Sequence, residues 1–235
     1  MNLILIPARG GSKRIPKKNI KLFNGRPIIE WSIEQALKTN TFNKVVVSTD
    51  DEEIAMISKL AGAEVPFIRP KEFSSDFATT SEVVQHSIRW FQKKGILFEY
   101  VCCLYPTSPF VKSSFLSNAL NELKNCKKEV FVISAASYAS PIQRAFYIDE
   151  NGFSKMFDKN SFELRTQDLK KAYHDAAQFY LASSKTWLNQ KNIFDNSKPF
   201  LLPRLFVQDI DTLEDWEDAE IIFEVLLARA KNKET

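Results

Sequence analysis

The stretch Leu3-Ile-Leu-Ile-Pro7 is followed directly by Ala8-Arg-Gly-Gly-Ser-Lys-Arg-Ile-Pro-Lys-Lys-Asn19. The first part is a short apolar run, which is typical of a strand buried on both faces of a parallel sheet. The second part combines two adjacent glycines with five cations. A loop that leaves the carboxyl end of a parallel strand points into the crevice where α/β proteins bind ligands. We therefore predict a phosphate-binding loop, with a solvated basic turn as the alternative.

The chain as a whole does not share this basic character. It has 235 residues, with 32 basic and 29 acidic side chains and a net charge of +3. Such a balance argues against a general nucleic-acid-binding surface. The hydrophobic fraction of 44% is ordinary for a folded protein with a sizeable core. The positive charge that follows Pro7 is therefore a local feature, and no nucleic-acid partner is expected.

Cysteine usage indicates the compartment. The three cysteines, Cys102, Cys103 and Cys126, show neither disulfide-framework nor zinc-type spacing. The first two are adjacent in an apolar run, which predicts buried free thiols in a reducing compartment. We find no targeting leader at the N-terminus, and no apolar stretch approaches the ~18 residues of a membrane span. We expect a cytoplasmic protein with no membrane partner.

Apolar strands alternate with amphipathic helices over the first half of the chain. We predict strands at residues 2–6, 44–48, 65–68, 100–105 and 129–135, and helices at residues 27–38, 51–61, 81–94 and 113–125. Because the strands are continuously apolar, both faces of their sheet must be covered. This alternation predicts an α/β fold with a mostly parallel sheet and helices on both faces.

The alternation ends after Ala136. Residues 146–153 have the pattern of a hairpin with Asn151-Gly152 in its turn, inside a polar and aromatic stretch. We interpret residues 137–171 as an insertion, a small β-rich arm on a single domain that spans residues 1–235. Strands are predicted again at residues 177–182 and 204–207. A long final helix follows, with Thr212-Leu-Glu-Asp215 as its capping box.

Polar groups follow two of the predicted strands. Ser48-Thr-Asp50-Asp51 comes after the second strand, where the acids could cap the next helix or border the same crevice as the basic loop. Leu104-Tyr-Pro-Thr-Ser-Pro109 follows the central strand. Its two prolines stiffen the backbone, so it could form a shaped ligand wall or a simple strand-to-helix turn. The residues alone leave both pairs of alternatives open.

Asp209 and Asp211 lie directly before the last helix. If the backbone is extended there, both side chains point to the same side. Two carboxylates beside a phosphate suit Mg²⁺, which takes oxygen ligands and draws few of them from the protein. We predict a magnesium site at these two residues. The alternative is that one or both merely favour the start of the helix.

The chain has two histidines, His86 and His174. His86 lies within a predicted helix and is interpreted as structural. His174 adjoins Asp175 at the entrance of a predicted strand, where both a structural role and a role in a site are open. No Ser-His-Asp or Cys-His arrangement can be argued from the spacing.

Taken together, these motifs resemble the CMP-sialic acid synthetase family, and the resemblance covers nearly the whole chain. The segments that carry it occur in the family's order: Ile6-Pro-Ala-Arg-Gly-Gly-Ser-Lys-Arg-Ile-Pro-Lys-Lys-Asn19, Ser48-Thr-Asp50, Arg69-Pro70, Ser75-Asp76, Pro106-Thr-Ser-Pro109 and Asp209-Ile-Asp211. Tyr105-Pro-Thr-Ser-Pro and His174-Asp-Ala-Ala-Gln-Phe-Tyr180 are similar to the family's pseudaminic acid branch. Tyr105 stands where the sialic acid branch usually has Gln, and Ala177 where the pseudaminic branch often has Gly.

The resemblance implies a Rossmann-like fold, a homodimer formed through the arm, and a need for CTP and Mg²⁺. It implies that CMP is transferred from CTP to the anomeric hydroxyl of a nonulosonic acid, with release of pyrophosphate. Pseudaminic acid is the expected sugar; legionaminic, N-acetylneuraminic and ketodeoxyoctonic acids are the alternatives. A non-enzymatic RNA-binding module is the alternative from another class.

The resemblance also assigns residues to roles. Ala8, Arg9, Gly10, Ser12, Asn19, Arg69, Ala78 and Thr80 are expected to bind the nucleotide. Lys13, Lys18 and Asp211 are expected to be catalytic, and Asp209 with Asp211 to hold the metal. Tyr105, His174, Asp175 and Gln178 are expected to bind the sugar, and the rings of Phe179 and Tyr180 to cover its apolar surface.

Overall fold

The structure is a computed structural model that describes residues 1–190 and 192–231. Its strands are β1 (Asn2–Pro7), β2 (Leu22–Phe23), β3 (Arg26–Pro27), β4 (Lys44–Ser48), β5 (Tyr100–Leu104), β6 (Phe131–Ser137), β7 (Phe146–Ile148), β8 (Ser154–Met156), β9 (Tyr173–Ser183) and β10 (Ser197–Leu201). Its α-helices are α1 (Ile28–Leu37), α2 (Glu52–Leu60), α3 (Thr80–Lys93), α4 (Ser113–Lys124), α5 (Ser184–Asn189) and α6 (Leu213–Lys231).

Six strands form the central sheet in the order β10-β6-β9-β5-β1-β4. β1 pairs in parallel with β4 and β5, and β10 pairs in parallel with β6. β9 is antiparallel to both of its neighbours, β5 and β6. A single reversed strand therefore interrupts an otherwise parallel sheet. The prediction of an α/β fold with a mostly parallel sheet is confirmed.

The apolar run of β1 is buried on both faces, as its sequence predicts. Ile4 and Ile6 belong to a cluster that includes side chains of α1, α2 and α4. Leu3 and Leu5 belong to a second cluster, which includes side chains of α3 and Trp187 of α5. Alternate side chains of a strand point to opposite faces, so β1 connects two helical layers. Its carboxyl end is consequently fixed with little freedom to move.

A third apolar cluster joins the basic loop to the last helix. Ile15 of the loop is fully buried with Phe23 and with Trp216 of α6. Ile210, which stands between Asp209 and Asp211, belongs to the same cluster. Burial of these side chains removes apolar surface from water and so stabilises one relative placement of the two segments. The fold thereby brings residues about two hundred positions apart to one edge of the sheet.

Two predicted strands take a different form. Residues 65–68 lie between two isolated bridges, Glu64 to Val46 and Ile68 to Thr49, because the chain follows the outer edge of β4 without regular pairing. Residues 204–207 fall in a short 3-10 turn, Arg204–Phe206, which starts after Pro203. The strand of that region is β10 instead. Its sequence, Ser-Lys-Pro-Phe-Leu, lacks a continuous apolar run because β10 lies at an edge of the sheet.

β9 is longer than its predicted core at residues 177–182, and it contains an irregularity. Its register against β6 shifts between Ile133 and Ala135. The Oγ of Ser134 accepts the backbone N–H groups of Gln178 at 3.2 Å and Phe179 at 3.1 Å. Ala177 has a left-handed backbone with φ of 48°, a conformation that costs an L-residue roughly 1–2 kcal/mol. The irregularity separates the first residues of β9 from its buried core.

The predicted hairpin in the arm is present as β7 and β8, which pair antiparallel with Gly152 at positive φ between them. Its side chains are mostly exposed, among them Phe146, Ile148, Phe153 and Phe157. The division into a single domain with a dimerisation arm at residues 137–171 stays a prediction. In the described part of the chain, no helix is both long enough and apolar enough to span a membrane.

Candidate active site

A cavity of about 440 Å³ opens at the carboxyl ends of β1 and β5. Its volume lies in the range of small-molecule sites. Ten residues that the sequence analysis singled out line it: Arg9, Ser12, Lys13, Lys18, Asn19, Arg69, Ala78, Thr80, Tyr105 and Asp211. Nine further residues line it as well: Pro7, Arg14, Ile15, Phe73, Ser75, Asp76, Val83, Pro106 and Thr107. The lining therefore gathers the basic loop, Arg69, the Pro-Thr-Ser-Pro turn and one of the paired aspartates.

Eight of the selected residues lie outside this lining: Ala8, Gly10, His174, Asp175, Gln178, Phe179, Tyr180 and Asp209. Ala8 is fully buried behind the loop, where its N–H donates to the carbonyl of Ser48 at 2.9 Å. Asp209 is exposed and lies two residues from Asp211, which does line the cavity. Of the β9 residues among them, Asp175 contacts Tyr180, whose ring in turn contacts Tyr105 of the cavity wall. Apart from that of Phe179, the roles assigned to these residues stay predictions.

Acidic side chains from other elements compensate the cations of the basic loop. Arg9 Nη1 and Lys13 Nζ each lie 2.5 Å from a carboxylate oxygen of Asp76. Asp211 Oδ2 lies 2.7 Å from Arg14 Nη1, and its Oδ1 lies 3.5 Å from Lys18 Nζ. The pairs of Arg9, Lys13 and Arg14 join exposed side chains, and such pairs contribute little to stability. An anionic ligand can therefore replace the carboxylates that now pair with these cations.

The backbone of the loop is held by groups around it. Gly10 N–H donates to Asp50 Oδ1 at 3.0 Å, and Asn19 Nδ2 donates to the carbonyl of Arg9 at 2.9 Å. Asp51 caps α2, since its Oδ1 accepts the N–H groups of Glu53 and Ile54. Each of the two acids after β4 therefore has a different role: Asp51 caps α2, and Asp50 accepts a hydrogen bond from the basic loop.

Arg69 is a buried cation at the floor of the site. It is 4% exposed, its Nε donates to Ser74 Oγ at 3.2 Å, and its nearest carboxylate, Asp50, is 3.8 Å away. Burial lowers the pKa of Arg69, while the charge of Asp50 opposes that shift. An incompletely compensated cation beside a cavity favours a ligand with hydrogen-bond acceptors.

Two tyrosines connect the cavity wall to β9. Tyr105 Oη lies 2.9 Å from Thr80 Oγ1, and its ring contacts that of Tyr180 edge-on, with centroids 5.6 Å apart. Tyr180 Oη donates to Asp175 Oδ2 at 2.5 Å. Burial raises the pKa of both tyrosines, so both hydroxyls are protonated at neutral pH. Asp175 therefore positions the tyrosine pair from behind.

The remaining β9 residues differ in how accessible they are. The Nε2 of Gln178 donates to the carbonyl of Phe206, and its Oε1 has no hydrogen-bond partner among the described residues although the side chain is 1% exposed. His174 Nδ1 lies 2.9 Å from the carbonyl of Asp175. Phe179 is fully buried against Phe200. The expectation that the ring of Phe179 covers a sugar is therefore wrong, because it points into the core.

Asp209 and Asp211 place two negative charges close enough to repel each other. The side chain of Asp209 is exposed as a whole, but partial desolvation of its carboxyl raises its pKa, and repulsion from the charge of Asp211 adds to the shift. A divalent cation would relieve that repulsion, so the two carboxylates fit Mg²⁺ as oxygen ligands. Within residues 1–190 and 192–231, no set of three or more His, Cys, Asp or Glu side chains is arranged for a metal. Water and ligand oxygens would complete the coordination.

Residues 3–223 match the sequence model of the cytidylyltransferase family. The chain belongs to the cytidylyltransferase family. A pseudaminic acid cytidylyltransferase of Campylobacter jejuni is 47% identical over 226 residues, 95% of this chain and 97% of the relative. The CMP-N,N'-diacetyllegionaminic acid synthase of Legionella pneumophila is 32% identical over 231 residues, 95% of this chain and 96% of the relative.

The fold of this cytidylyltransferase is shared by a solved CMP:2-keto-3-deoxy-manno-octonic acid synthetase complexed with CTP. The TM-score is 0.69 at 16% identity, and the match covers 97% of this chain and 99% of the other. The family model and the curated relatives confirm the sequence-based assignment to the family, and the solved structure confirms the α/β fold. Of the nine lining residues that received no role of their own from the sequence, two are charged, Arg14 and Asp76. Arg14 is one cation among five, and Asp76 was noted only as part of the Ser75-Asp76 segment.

Gly10 and Gly11 provide a matched test of how closely the basic loop packs against Asp51. A Cβ on Gly10 would lie 2.7 Å from Asp51 Oδ2, whereas a Cβ on Gly11 would have no neighbour within 4 Å. Gly10→Ala must displace the cap of α2, so we expect the free energy of unfolding to fall by about 1 kcal/mol. Gly11→Ala should change it by less than about 0.5 kcal/mol. Urea unfolding of both variants measures this, and equal effects would contradict the seating described here.

Proposed function

We propose that the chain transfers CMP from CTP to the anomeric hydroxyl of a nonulosonic acid, most of all pseudaminic acid. The observation that carries this proposal is the cavity in which Arg9, Lys13, Arg14 and Lys18 converge beside Asp211. A triphosphate fits such a set of cations. The 47% identity to a pseudaminic acid cytidylyltransferase over 95% of the chain supports the choice of sugar.

The reaction is a nucleophilic displacement at phosphorus. The sugar hydroxyl oxygen attacks the α-phosphorus, and the bond from that phosphorus to the bridging oxygen breaks. Pyrophosphate leaves with the electron pair. Negative charge builds on the non-bridging and leaving oxygens, where Lys13 and Lys18 stabilise it electrostatically. Because the cations are held in place before reaction, the protein contributes positioning and electrostatic stabilisation rather than covalent catalysis.

The remaining nucleotide contacts follow from the lining. Arg69 supplies a buried donor for the cytosine, with Ala78 and Thr80 beside it. Asn19 fixes the carbonyl of Arg9 through its Nδ2, which leaves its side-chain oxygen for a ribose hydroxyl. Ser12 and the backbone of Ala8 and Gly10 lie along the same loop. We assign these residues to nucleotide binding.

Mg²⁺ is the proposed cofactor, held by Asp209 and Asp211. When bound, it would neutralise charge on the phosphate oxygens. Arg14 now pairs with Asp211 Oδ2, so metal binding would release Arg14 toward the phosphates. The proton of the sugar hydroxyl must pass to a base, and the carboxylate oxygens that do not hold metal are the available acceptors.

The sugar is placed between Tyr105 and the start of β9. Tyr105 offers part of an aromatic wall, and His174 with Asp175 offers polar atoms. The unpartnered Oε1 of Gln178 would accept a donor, since a buried acceptor without a partner is costly. An acylamino N–H of the sugar is such a donor, but it would reach Oε1 only if the groups that cover Gln178, which is 1% exposed, move aside. The 32% identical legionaminic acid relative keeps a second sugar acid as the alternative substrate.

Rival interpretations are weaker. An RNA-binding module would need exposed aromatic rings in its basic loop, and the first ring after it, Phe23, is fully buried. Cys102 and Cys103 are buried and carry free thiols, and burial raises the pKa of Cys102. Unreactive thiols of this kind support a place in the reducing cytoplasm.

The decisive measurement is pyrophosphate release across a panel of sugar acids. We expect release only when CTP, Mg²⁺ and a sugar acid are all present, with kcat/KM for pseudaminic acid well above that for N-acetylneuraminic acid. The glycerol tail of the latter would bring hydroxyls into a site with few partners. Turnover in chelator, or a preference for ATP, would reject the nucleotide and metal assignments. Comparable kcat/KM for the two sugars would reject the sugar assignment alone.

The metal assignment has its own test. Asp209→Asn and Asp211→Asn should each lower kcat by about 10² or more, the scale of one lost electrostatic group in a site. Asp218→Asn is the matched control, because Asp218 is an exposed acid on α6 away from the cavity. Kinetics at saturating Mg²⁺ and CTP measure the difference. Wild-type rates in the first two variants would mean that these aspartates serve only the start of α6.

We also propose that the arm at residues 137–171 forms a homodimer. Its hairpin exposes Ile148 at 71% and Phe157 at 72%, and apolar surface of this size needs cover. A second copy of the chain is the simplest partner. We expect light scattering at micromolar concentration to give twice the 27.0 kDa chain mass.

A double variant, Ile148→Ser with Phe157→Ser, should reduce that mass to one chain. Leu60→Ser is the control, since Leu60 of α2 is even more exposed, at 81%, but lies outside the arm. A monomeric unmodified protein, or dimer loss in the control as well, would contradict the arm's role.

A further inference from the structure

An acidic side chain occupies the anion-facing side of two loop cations. Asp76 lies in the rim segment, residues 74–78, between the 3-10 turn Lys71–Phe73 and α3. Its Oδ1 accepts from Arg9 Nη1 and its Oδ2 pairs with Lys13 Nζ, each at 2.5 Å. Asp76, Arg9 and Lys13 all line the same cavity. Asp76 therefore satisfies the two cations at the place proposed for phosphate oxygens.

The carboxylate is both ionised and exchangeable. Lys13 first, and then Arg9, lower the pKa of Asp76 by hydrogen bonding and charge. The side chain of Lys13 is 80% exposed and that of Asp76 is 39% exposed, so water already reaches the pair. Ion pairs in water are weak because solvent competes with them. A ligand with several phosphate oxygens can therefore replace a single carboxylate.

The rim segment keeps Asp76 near the site after such a replacement. On one side, Ser74 Oγ accepts from Arg69 Nε and donates to the carbonyl of Pro70. On the other side, Thr79 and Glu82 form a complete capping box at the start of α3. Only four residues separate these two anchors. A displaced Asp76 stays close enough to return to its cations, and its charge repels any anion bound there.

We infer that Asp76 is an internal competitor of the triphosphate and of pyrophosphate. It is a positioning residue that holds Arg9 and Lys13 in the free protein, yields them to the nucleotide and takes them back as pyrophosphate leaves. Competition by Asp76 weakens the binding of CTP and speeds the dissociation of pyrophosphate, the highly charged product. This inference deepens the proposed function and rests on its assignment of Arg9 and Lys13 to phosphates.

The chain offers a matched control for this inference. Lys17 and Glu53 form a pair of the same length, 2.5 Å, on the same basic loop, but neither residue lines the cavity. Glu53→Gln removes the same charge from the same loop as Asp76→Asn does. The two variants therefore differ in whether the lost carboxylate faces the cavity.

The experiment is calorimetric titration of the native chain and both variants with Mg²⁺-CTP, and separately with inorganic tripolyphosphate. Asp76→Asn should bind both ligands about fivefold more tightly, the effect of removing one like charge a few ångströms away in water. Glu53→Gln should stay within about twofold, because solvent and salt screen a charge outside the cavity. In turnover, Asp76→Asn should lower KM for CTP, lower the inhibition constant of pyrophosphate by a similar factor, and leave kcat no higher.

The opposite results would overturn the inference. If Asp76 served only to order the rim segment, Asp76→Asn would weaken both ligands, and unchanged affinity would equally reject competition. An equal gain in Glu53→Gln would show a general charge effect. Tripolyphosphate separates this inference from the proposed function, since tighter tripolyphosphate binding without CTP-dependent turnover would reject the function and keep the competition.

Discussion

The compensation of positive charge behind β1 is the constraint on which the site depends. Five cations fall within ten residues, and an isolated loop of that charge would repel itself. The fold resolves this by bringing acids from three separate places, Asp76 from the rim segment, Asp211 from before α6 and Glu53 from α2. Ion pairs on the outside of the loop thus compensate its charge, and the burial of Ile15 holds the loop from the inside.

Apolar burial, and not charge, explains the position of the last helix. Ile210 and Trp216 share an apolar cluster with Ile15, so α6 and the loop cannot be placed independently. Apolar burial supplies the stabilisation, and the aspartates on either side of Ile210 take their place from it. Stability and chemistry are therefore separated within a few residues: Ile15 and Ile210 hold the two segments together, and their charged neighbours face the cavity.

The sequence was sufficient for the parallel core, because β1, β4 and β5 are continuous apolar runs that admit one interpretation. It was insufficient for β10, because Lys198 and Pro199 interrupt the apolar pattern by which a strand is predicted. It was also insufficient for the direction of β9, since a strand buried on both faces has the same pattern in either direction. In the site, the chemistry of the loop and of Asp211 could be predicted from residue type and spacing. Asp76 was noted only within the Ser75-Asp76 segment of the family resemblance. Its pairing with Arg9 and Lys13 could not be predicted, because these partners are distant in sequence.

Both edges of the sheet are closed to further strands, with a consequence for self-association. At one edge, residues 64–69 follow β4 and take hydrogen bonds from and to its backbone, as in Val47 N–H to the carbonyl of Glu64. At the other edge, Pro199 of β10 has no N–H to offer an incoming strand, and Lys198 places a charge beside it. A concentrated solution of this chain should consequently resist edge-to-edge aggregation, and any specific pairing of two copies must use side chains rather than continue the sheet.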